Sequence, residues 1–526
     1  MKITLLLSVL ALVFFSNAQT LQIVNQYVFG GDFYDSPRDA IRINNNTVIG
    51  GVSMSENSGD KTSMSFGGLD AWILSLDNNN AINWQKSFGG VADDYLVKII
   101  ESSGGDLLVG SHTISGVNGN KTAPSKGQND FWLIKIDGQG NEIWQKSYGG
   151  SGDDILLDMI ELSDGSVMLI GHSDSPISGD KTVDSNGQFD FWIVKIDGNG
   201  NVIWDKAYGG NLNDFAEAVT IDENEDIYIS GRSNSPVSGD KTEDIYGFYD
   251  IWILKIDSNG NILWEKTLGG DGIDLTGNLI YSDNSIYILG NSVSDVSGTK
   301  SEPSRGLFDV WITKMSQNGI VLMDKTYGGN DSDQVINSIL TSSGELVLAC
   351  VTSSDVSGEV QIPTNNNSTD FWIIVLDTND LSLKNQFMFG GDDSDLIPGI
   401  LEIESNSILL YGTSNSDISG DKTLPSKGQY DFWLLELSTD LSTSNFQKEG
   451  TLSIYPNPTS NSFQINEFPD GGNYELNIID MMGKSVLKST VNSTNNHVDV
   501  NSLSPGMYTL QMIDGEKSYT SKLIVE

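Results

Sequence analysis

Short apolar runs separated by Gly-, Asn- and Ser-rich turns fill the chain from Gln22 to Leu437. Between Gly149 and Gly210, Ile155 to Leu162 predicts a strand, Ser163-Asp164-Gly165 a turn, and Ser166 to His172 a second strand. A long polar loop follows, from Ser173 to Gln188. Asp190 to Ile196 (DFWIVKI) predicts a third strand, Asp197-Gly198-Asn199-Gly200-Asn201 a tight hairpin turn, and Val202 to Tyr208 a fourth strand. Helical periodicity of useful length is absent.

This pattern repeats. A Gly-Gly pair closes each unit, at Gly30-Gly31, Gly89-Gly90, Gly149-Gly150, Gly209-Gly210, Gly269-Gly270, Gly328-Gly329 and Gly390-Gly391. Asp-x-Trp keeps the same beat, at Trp72, Trp132, Trp192, Trp252, Trp311, Trp372 and Trp433. A fixed period near 60 residues marks a repeat architecture. Four short antiparallel strands per unit predict an all-β fold, a seven-bladed β-propeller over residues 19–447, rather than an open solenoid. The chain enters on Gln22 to Phe29, which matches a fourth strand, and leaves on Asp431 to Leu437, which matches a third. The last blade is therefore expected to be completed by the first strand, a latch that removes the sheet edges.

The period assigns most conspicuous residues to construction. The 11 tryptophans occupy two slots, the seven above plus Trp84, Trp144, Trp204 and Trp264, and are expected to pack between blades. Asp35, Asp94, Asp154, Asp214, Asp274, Asp333 and Asp395 follow the Gly-Gly pairs, and a second Asp opens each Asp-x-Trp. Such carboxylates accept backbone N–H bonds at turns; calcium is the alternative, since hard cations take clustered carboxylates, but no EF-hand loop is present. No other cofactor is indicated. Cys350 is the single cysteine and fills a slot held by Gly171, Gly231, Gly290 and Gly412, as a small buried residue would.

The formal charge of −42 and pI near 4.1 disfavour nucleic acid and acidic lipid as partners. Residues 1–18 read as a secretory signal peptide: Lys2, an apolar run over residues 3–15, and Ser16-Asn17-Ala18 before the cut. The apolar run is shorter than the roughly 20 residues of a spanning helix, and no other stretch is suited to cross a bilayer as a helix.

Two resemblances follow. Ile196 to Trp204 (IDGNGNVIW), followed by Tyr208-Gly209-Gly210, resembles the blade hairpin of quinoprotein-type propellers, which supports the fold and implies no cofactor. From Leu452 the 60-residue beat stops. Ile454-Tyr455-Pro456-Asn457-Pro458-Thr459, Tyr474 to Asp480, Gly483-Lys484, Leu503-Ser504-Pro505-Gly506-Met507-Tyr508 and the ending Lys522-Leu523-Ile524-Val525-Glu526 resemble the type A C-terminal sorting domain of the type IX secretion system of Bacteroidota. The resemblance implies a small C-terminal β-sandwich over residues 448–526, the outer-membrane translocon as partner, and cleavage during release or surface attachment. It places the protein outside the cell or on its surface, by way of the periplasm. The acidic last residue departs from the family's usual basic or amide ending.

Catalytic patterns are missing: no G-x-S-x-G, P-loop or H-E-x-x-H occurs, and His112, His172 and His497 make no zinc set. The expectation is a non-catalytic binding or adhesion protein for a glycan or protein; the alternative is an extracellular polysaccharide hydrolase or lyase. The long loops between second and third strands carry a recurrent Ser-Gly-Asp-Lys, with Asp60, Lys61, Lys121, Asp180, Lys181, Asp240, Lys241, Asp421 and Lys422 as candidate binding residues. The alternative, which local hydrogen bonding favours, is that these side chains tie each loop to its neighbour.

Overall fold

The computed structural model describes residues 21–438, 447–451, 454–465, 474–479, 485–501, 503–514 and 517–525. The expected signal peptide lies outside them. The chain divides into two compact units, Met1–Thr439 and Asp440–Glu526, somewhat before the boundary read from the sequence at 447/448.

Among the described residues the first unit holds seven four-stranded antiparallel sheets. Blade 1 is Asp35–Ile43, Asn46–Ser53, Asp70–Leu76 and Ile82–Phe88. Blade 3 is Asp154–Glu161, Val167–Ser173, Asp190–Ile196 and Val202–Tyr208, within a residue or so of the sequence reading. The first strands contact one another successively, and that of blade 7 returns to that of blade 1, so they form a closed ring. Two loop types, from fourth strand to next first strand and from second to third strand, share one face, here called the loop face.

Blade 7 is completed by the N-terminal strand. Gln22–Phe29 pairs antiparallel with Asp431–Ser438, placing Val28 opposite Trp433. Gln26 there does what Gln85 does in blade 1. Gln85 accepts the indole N–H of Trp72 at 3.2 Å and the backbone N–H of Thr62 at 2.9 Å, and donates to the carbonyl of Asp60 at 2.8 Å. Gln26 accepts from Trp433 at 3.3 Å and Thr423 at 3.1 Å, and donates to Asp421 at 2.6 Å. The latch supplies a missing member of the repeat as well as a missing strand.

Side chains alternate across each strand, so every blade presents one apolar face to each neighbour. One cluster joins Phe131 and Leu133 of blade 2 to Leu156, Leu169 and Trp192 of blade 3; another joins Leu409 and Phe432 of blade 7 to Ile49 and Trp72 of blade 1, closing the core. The seven Asp-x-Trp rings are fully buried. At roughly 200 Å² each and about 25 cal/mol per Å², each contributes about 5 kcal/mol of gross burial. Trp84 and Trp264 are half-buried, and each indole donates at 3.0 Å to the hairpin turn of the next blade. Cys350 sits opposite Trp372 where Gly171 and Gly231 face Trp192 and Trp252, and burial pushes its thiol pKa up.

The second unit holds a five-stranded and a three-stranded sheet. Phe463 and Ile465 of the smaller sheet share one core with Leu476, Ile478, Leu510 and Met512 of the larger, as the expected small sandwich requires. The opening motif is fastened to the last strand, Lys517–Val525. Asn457 donates to the carbonyl of Lys522 at 2.6 Å and accepts from the N–H of Ile524 at 2.8 Å, and Thr459 N–H reaches Ile524 at 2.9 Å. Tyr508, beyond Pro505-Gly506, donates to Ser504 at 2.7 Å. Tyr455 is exposed beside Pro456 and Pro458.

Candidate ligand-binding face

The loop face is organised by the repeated motifs. A Cβ on Gly269 would lie 2.2 Å from Asp250 Oδ1, and one on Gly270 would lie 2.6 Å from the Cβ of Ser294. The same two neighbours, an Asp-x-Trp aspartate and a loop serine, confront all seven pairs. The following aspartate, here Asp274, accepts the N–H of Gly270 at 2.7 Å and the hydroxyl of Ser294 at 2.8 Å. Gly-Gly is therefore a close-approach motif: two buried carboxylates and a serine occupy the space a side chain would fill.

The candidate lysines lie inside this network, which corrects the expectation that they face a ligand. Lys61, Lys121, Lys181, Lys241 and Lys422 are buried to within 1 % exposure. Lys61 Nζ donates to the carbonyl of Ser55 at 2.6 Å, Lys121 to that of Ala123 at 2.6 Å, and Lys181 to Ser185 Oγ at 3.0 Å. Lys241 reaches Thr267 Oγ1 at 3.0 Å and sits 5.0 Å from the Trp252 ring, and Lys422 reaches Ser414 Oγ at 3.0 Å. Burial lowers their pKa values, opposed by the flanking aspartates; Lys300, in the same slot, is brought down to about 8. The cause is local: Lys61 N–H closes a turn on Ser58 at 3.0 Å, with Gly59 at φ +56°, and the turn folds the lysine inward. Blade 6 has Val360 in this slot, buried in an apolar cluster.

The candidate aspartates act as ties. Asp60, Asp180, Asp240 and Asp421 each donate their N–H to the first glycine of the pair entering their blade, at 2.8–2.9 Å. Asp180 also meets Lys126 of the preceding loop at 3.2 Å, Asp240 meets Asn186 at 3.0 Å, and Asp60 pairs with Lys427. Among the described residues no group of three or more His, Cys, Asp or Glu side chains is set to hold a metal ion.

The buried aspartates are poorly solvated acids. Burial raises Asp190, Asp250, Asp309 and Asp370 to about 7, against backbone hydrogen bonds that lower them, and the next blade's aspartate adds like-charge repulsion. Burial lowers His112 to about 4 and His172 to about 3, so both rings are neutral at pH 7.

One departure from sevenfold symmetry lies in blades 3 and 4. Five rings form a continuous chain on this face. Phe248 lies 6.0 Å from Tyr249, Tyr249 6.4 Å from Phe215, Phe215 5.3 Å from Phe189, and His172 4.8 Å from Phe215. Arg232 lies over Phe215, 4.7 Å from the ring centroid, and pairs with Glu217. Glu217 occupies the bulge in the first strand of blade 4, where the register shifts between Ala216 and Ala218. Burial raises its carboxyl to about 7 while Arg232 opposes the shift, and its Oε2 has no partner. The outer end is open: Phe248 is 69 % exposed and Tyr246 49 %. Corresponding loop positions carry Gln128, Gln188 and Gln429 in other blades. The repeat assigns the conspicuous aromatic residues to packing between blades and so does not single out this patch. The loop sequence Glu243 to Asp250 (EDIYGFYD), with three aromatics where neighbouring repeats have one or none, was the available signal.

Residues 453–526 match the secretion system C-terminal sorting domain family. That domain is the part of an exported chain that engages the type IX translocon. Among curated proteins, Regulatory protein FlaEY of Caulobacter vibrioides is 22 % identical over 346 residues, covering 61 % of this chain and 36 % of that protein. The chain thus spans about a third of that relative's length. Among solved structures, a Dyadobacter fermentans protein of unknown function aligns at 9 % identity over 80 % of this chain and 99 % of that one, with a TM-score of 0.40. The Neurospora crassa Pan2 WD40 domain aligns at 9 % identity over 80 % and 96 %, with a TM-score of 0.42. No helix among the described residues is long and apolar enough to cross a membrane.

Proposed function

We propose that this exported propeller is a non-catalytic binding protein that passes through the periplasm, leaves through the type IX translocon and holds a glycan or protein on its loop face. The supporting observation is the contrast within that face. The repeated Gly-Gly pairs, aspartates, serines and lysines are occupied with one another, whereas the aromatic loop of blade 4 leaves Tyr246 and Phe248 exposed to solvent. A rigid scaffold with an exposed, irregular patch is the arrangement binding surfaces use. The test is the full-length exported chain on glycan and protein arrays, with chromatographic analysis of bound material after prolonged incubation. Saturable binding without new products is expected. Cleaved products that vanish in Glu217→Gln would overturn the reading in favour of a hydrolase or lyase.

A further inference from the structure

We infer that the patch of blades 3 and 4 is a carbohydrate platform for a neutral polysaccharide, with Phe248 and Tyr246 as its stacking rings. The inference rests on the binding reading and names the ligand's chemistry. Three features select it. First, the exposed groups are aromatic rings, and a pyranose presents an axial C–H face suited to such a surface. Phe248 is anchored without being covered: its N–H donates to Gly272 at 2.7 Å, and its ring touches Tyr249 while remaining open to solvent. Tyr246 lies against Gly298 of the next loop, where an added Cβ would stand 2.8 Å from its Cγ, so one side is supported and half the ring is free.

Second, the surrounding loops offer amides. Gln188 and Asn211 are exposed on the loop face of blades 3 and 4, Asn211 accepting from Ser238 at 3.2 Å with its amide N–H groups outward, while Asn186 is spent on Gly209 and Asp240. An amide carries both donor and acceptor, the pairing that sugar hydroxyls require.

Third, the charge excludes acidic ligands. Arg232, the cation at the inner end, is already paired with Glu217 and stacked on Phe215. Exposed Asp244 and Asp271 flank the aromatic loop, in a chain of formal charge −42. A uronic-acid or sulfated polymer meets repulsion there, with Arg232 already committed.

The experiment is native affinity electrophoresis of the full-length chain in gels cast with xyloglucan, galactomannan, laminarin or hydroxyethylcellulose, and with alginate as the anionic control. Retardation in at least one neutral gel and none in alginate is expected. Phe248→Ala, and Tyr246→Ala with Phe248→Ala, should weaken that retardation at least tenfold with the melting temperature unchanged. Migration unaffected by all four neutral polymers overturns the inference, as does equal retardation of the Phe248→Ala chain or retardation by alginate alone. The two readings fail separately. Array binding to proteins only removes the carbohydrate platform and leaves a binding protein. Cleaved products lost in Glu217→Gln remove the non-catalytic reading itself.

Discussion

Replacing Gly269 by Ala tests the physical reason for the repeat's most regular feature. The new Cβ would lie 2.2 Å from Asp250 Oδ1, 2.7 Å from its Cγ and 2.9 Å from Asp274 Oδ2. Neither carboxylate is free to withdraw. Asp250 is fully buried and accepts the N–H of Tyr246; Asp274 is held by Gly270 and Ser294. Overpacking a close-packed site costs about 1–3 kcal/mol, and displacing Asp250 forfeits a charge-assisted hydrogen bond of about 1.5–3 kcal/mol. The expected loss is therefore about 3–5 kcal/mol. At about 2.1 cal/mol/K per residue, the blades unfold with an entropy near 0.9 kcal/mol/K, so the melting temperature should fall by roughly 3–6 °C. Calorimetry of the single variant, of Asp250→Ala and of the pair closes a double-mutant cycle. Removing the Asp250 carboxylate relieves the closest contact, so Gly269→Ala should be milder in the Asp250→Ala background, with about 1–3 kcal/mol of coupling. Gly138→Ala is the control, because nothing lies within 4 Å of its added Cβ, and its effect should stay within about 0.5 kcal/mol. Additive losses, or equal losses at Gly138 and Gly269, would refute the close-approach account.

Gln26→Ala should lower the melting temperature by several degrees, because it removes three hydrogen bonds that join the two ends of the ring; a calorimetric trace matching the parent would refute the latch. Acidification from pH 8 to 5.5 should raise the melting temperature. Asp190, Asp250, Asp309 and Asp370 keep their protons to about pH 7 in the fold and only to about pH 4 when unfolded. Their stabilising contribution is thus complete below about pH 4 and lost as pH rises through 7. Lys300 titrates near 8 in the fold, so its contribution, lost as pH falls from the unfolded value toward 8, is constant below that window. Asp250→Asn should flatten the trend, and a melting temperature that rises toward pH 8 would contradict it. Ending the chain at Thr439 in a host with type IX secretion should leave the protein inside the outer membrane; cell fractionation showing normal export would contradict the role of residues 453–526.

The blades were legible because each unit repeats its own boundaries. Gly-Gly, Asp-x-Trp and a Gly- or Asn-bearing hairpin turn fix the strand ends, and the unmatched terminal strands announce the latch. Spacing does not say which way a loop side chain faces, and there the reading failed for the lysines. The tight turn at Ser58 to Lys61 directs Nζ toward Ser55 and the core, a consequence of backbone conformation rather than composition. Val360 in the lysine slot of blade 6 was the available hint, since an aliphatic residue replaces a lysine most readily at a buried position. The aromatic patch was hidden for a different reason. Phe189, Phe215 and Tyr249 belong to two loops and a strand in adjoining blades, and only the packing of blade 3 on blade 4 brings them together.

The division between residues that build and residues that bind is tested most directly by hydrogen exchange on the full-length chain, with and without a saturating polysaccharide from the affinity gels. Protection confined to the segments around residues 186–189, 210–216 and 243–250 is the predicted result. Equal protection of the long loop in all seven blades, or protection of the hairpin turns on the opposite face, would contradict it.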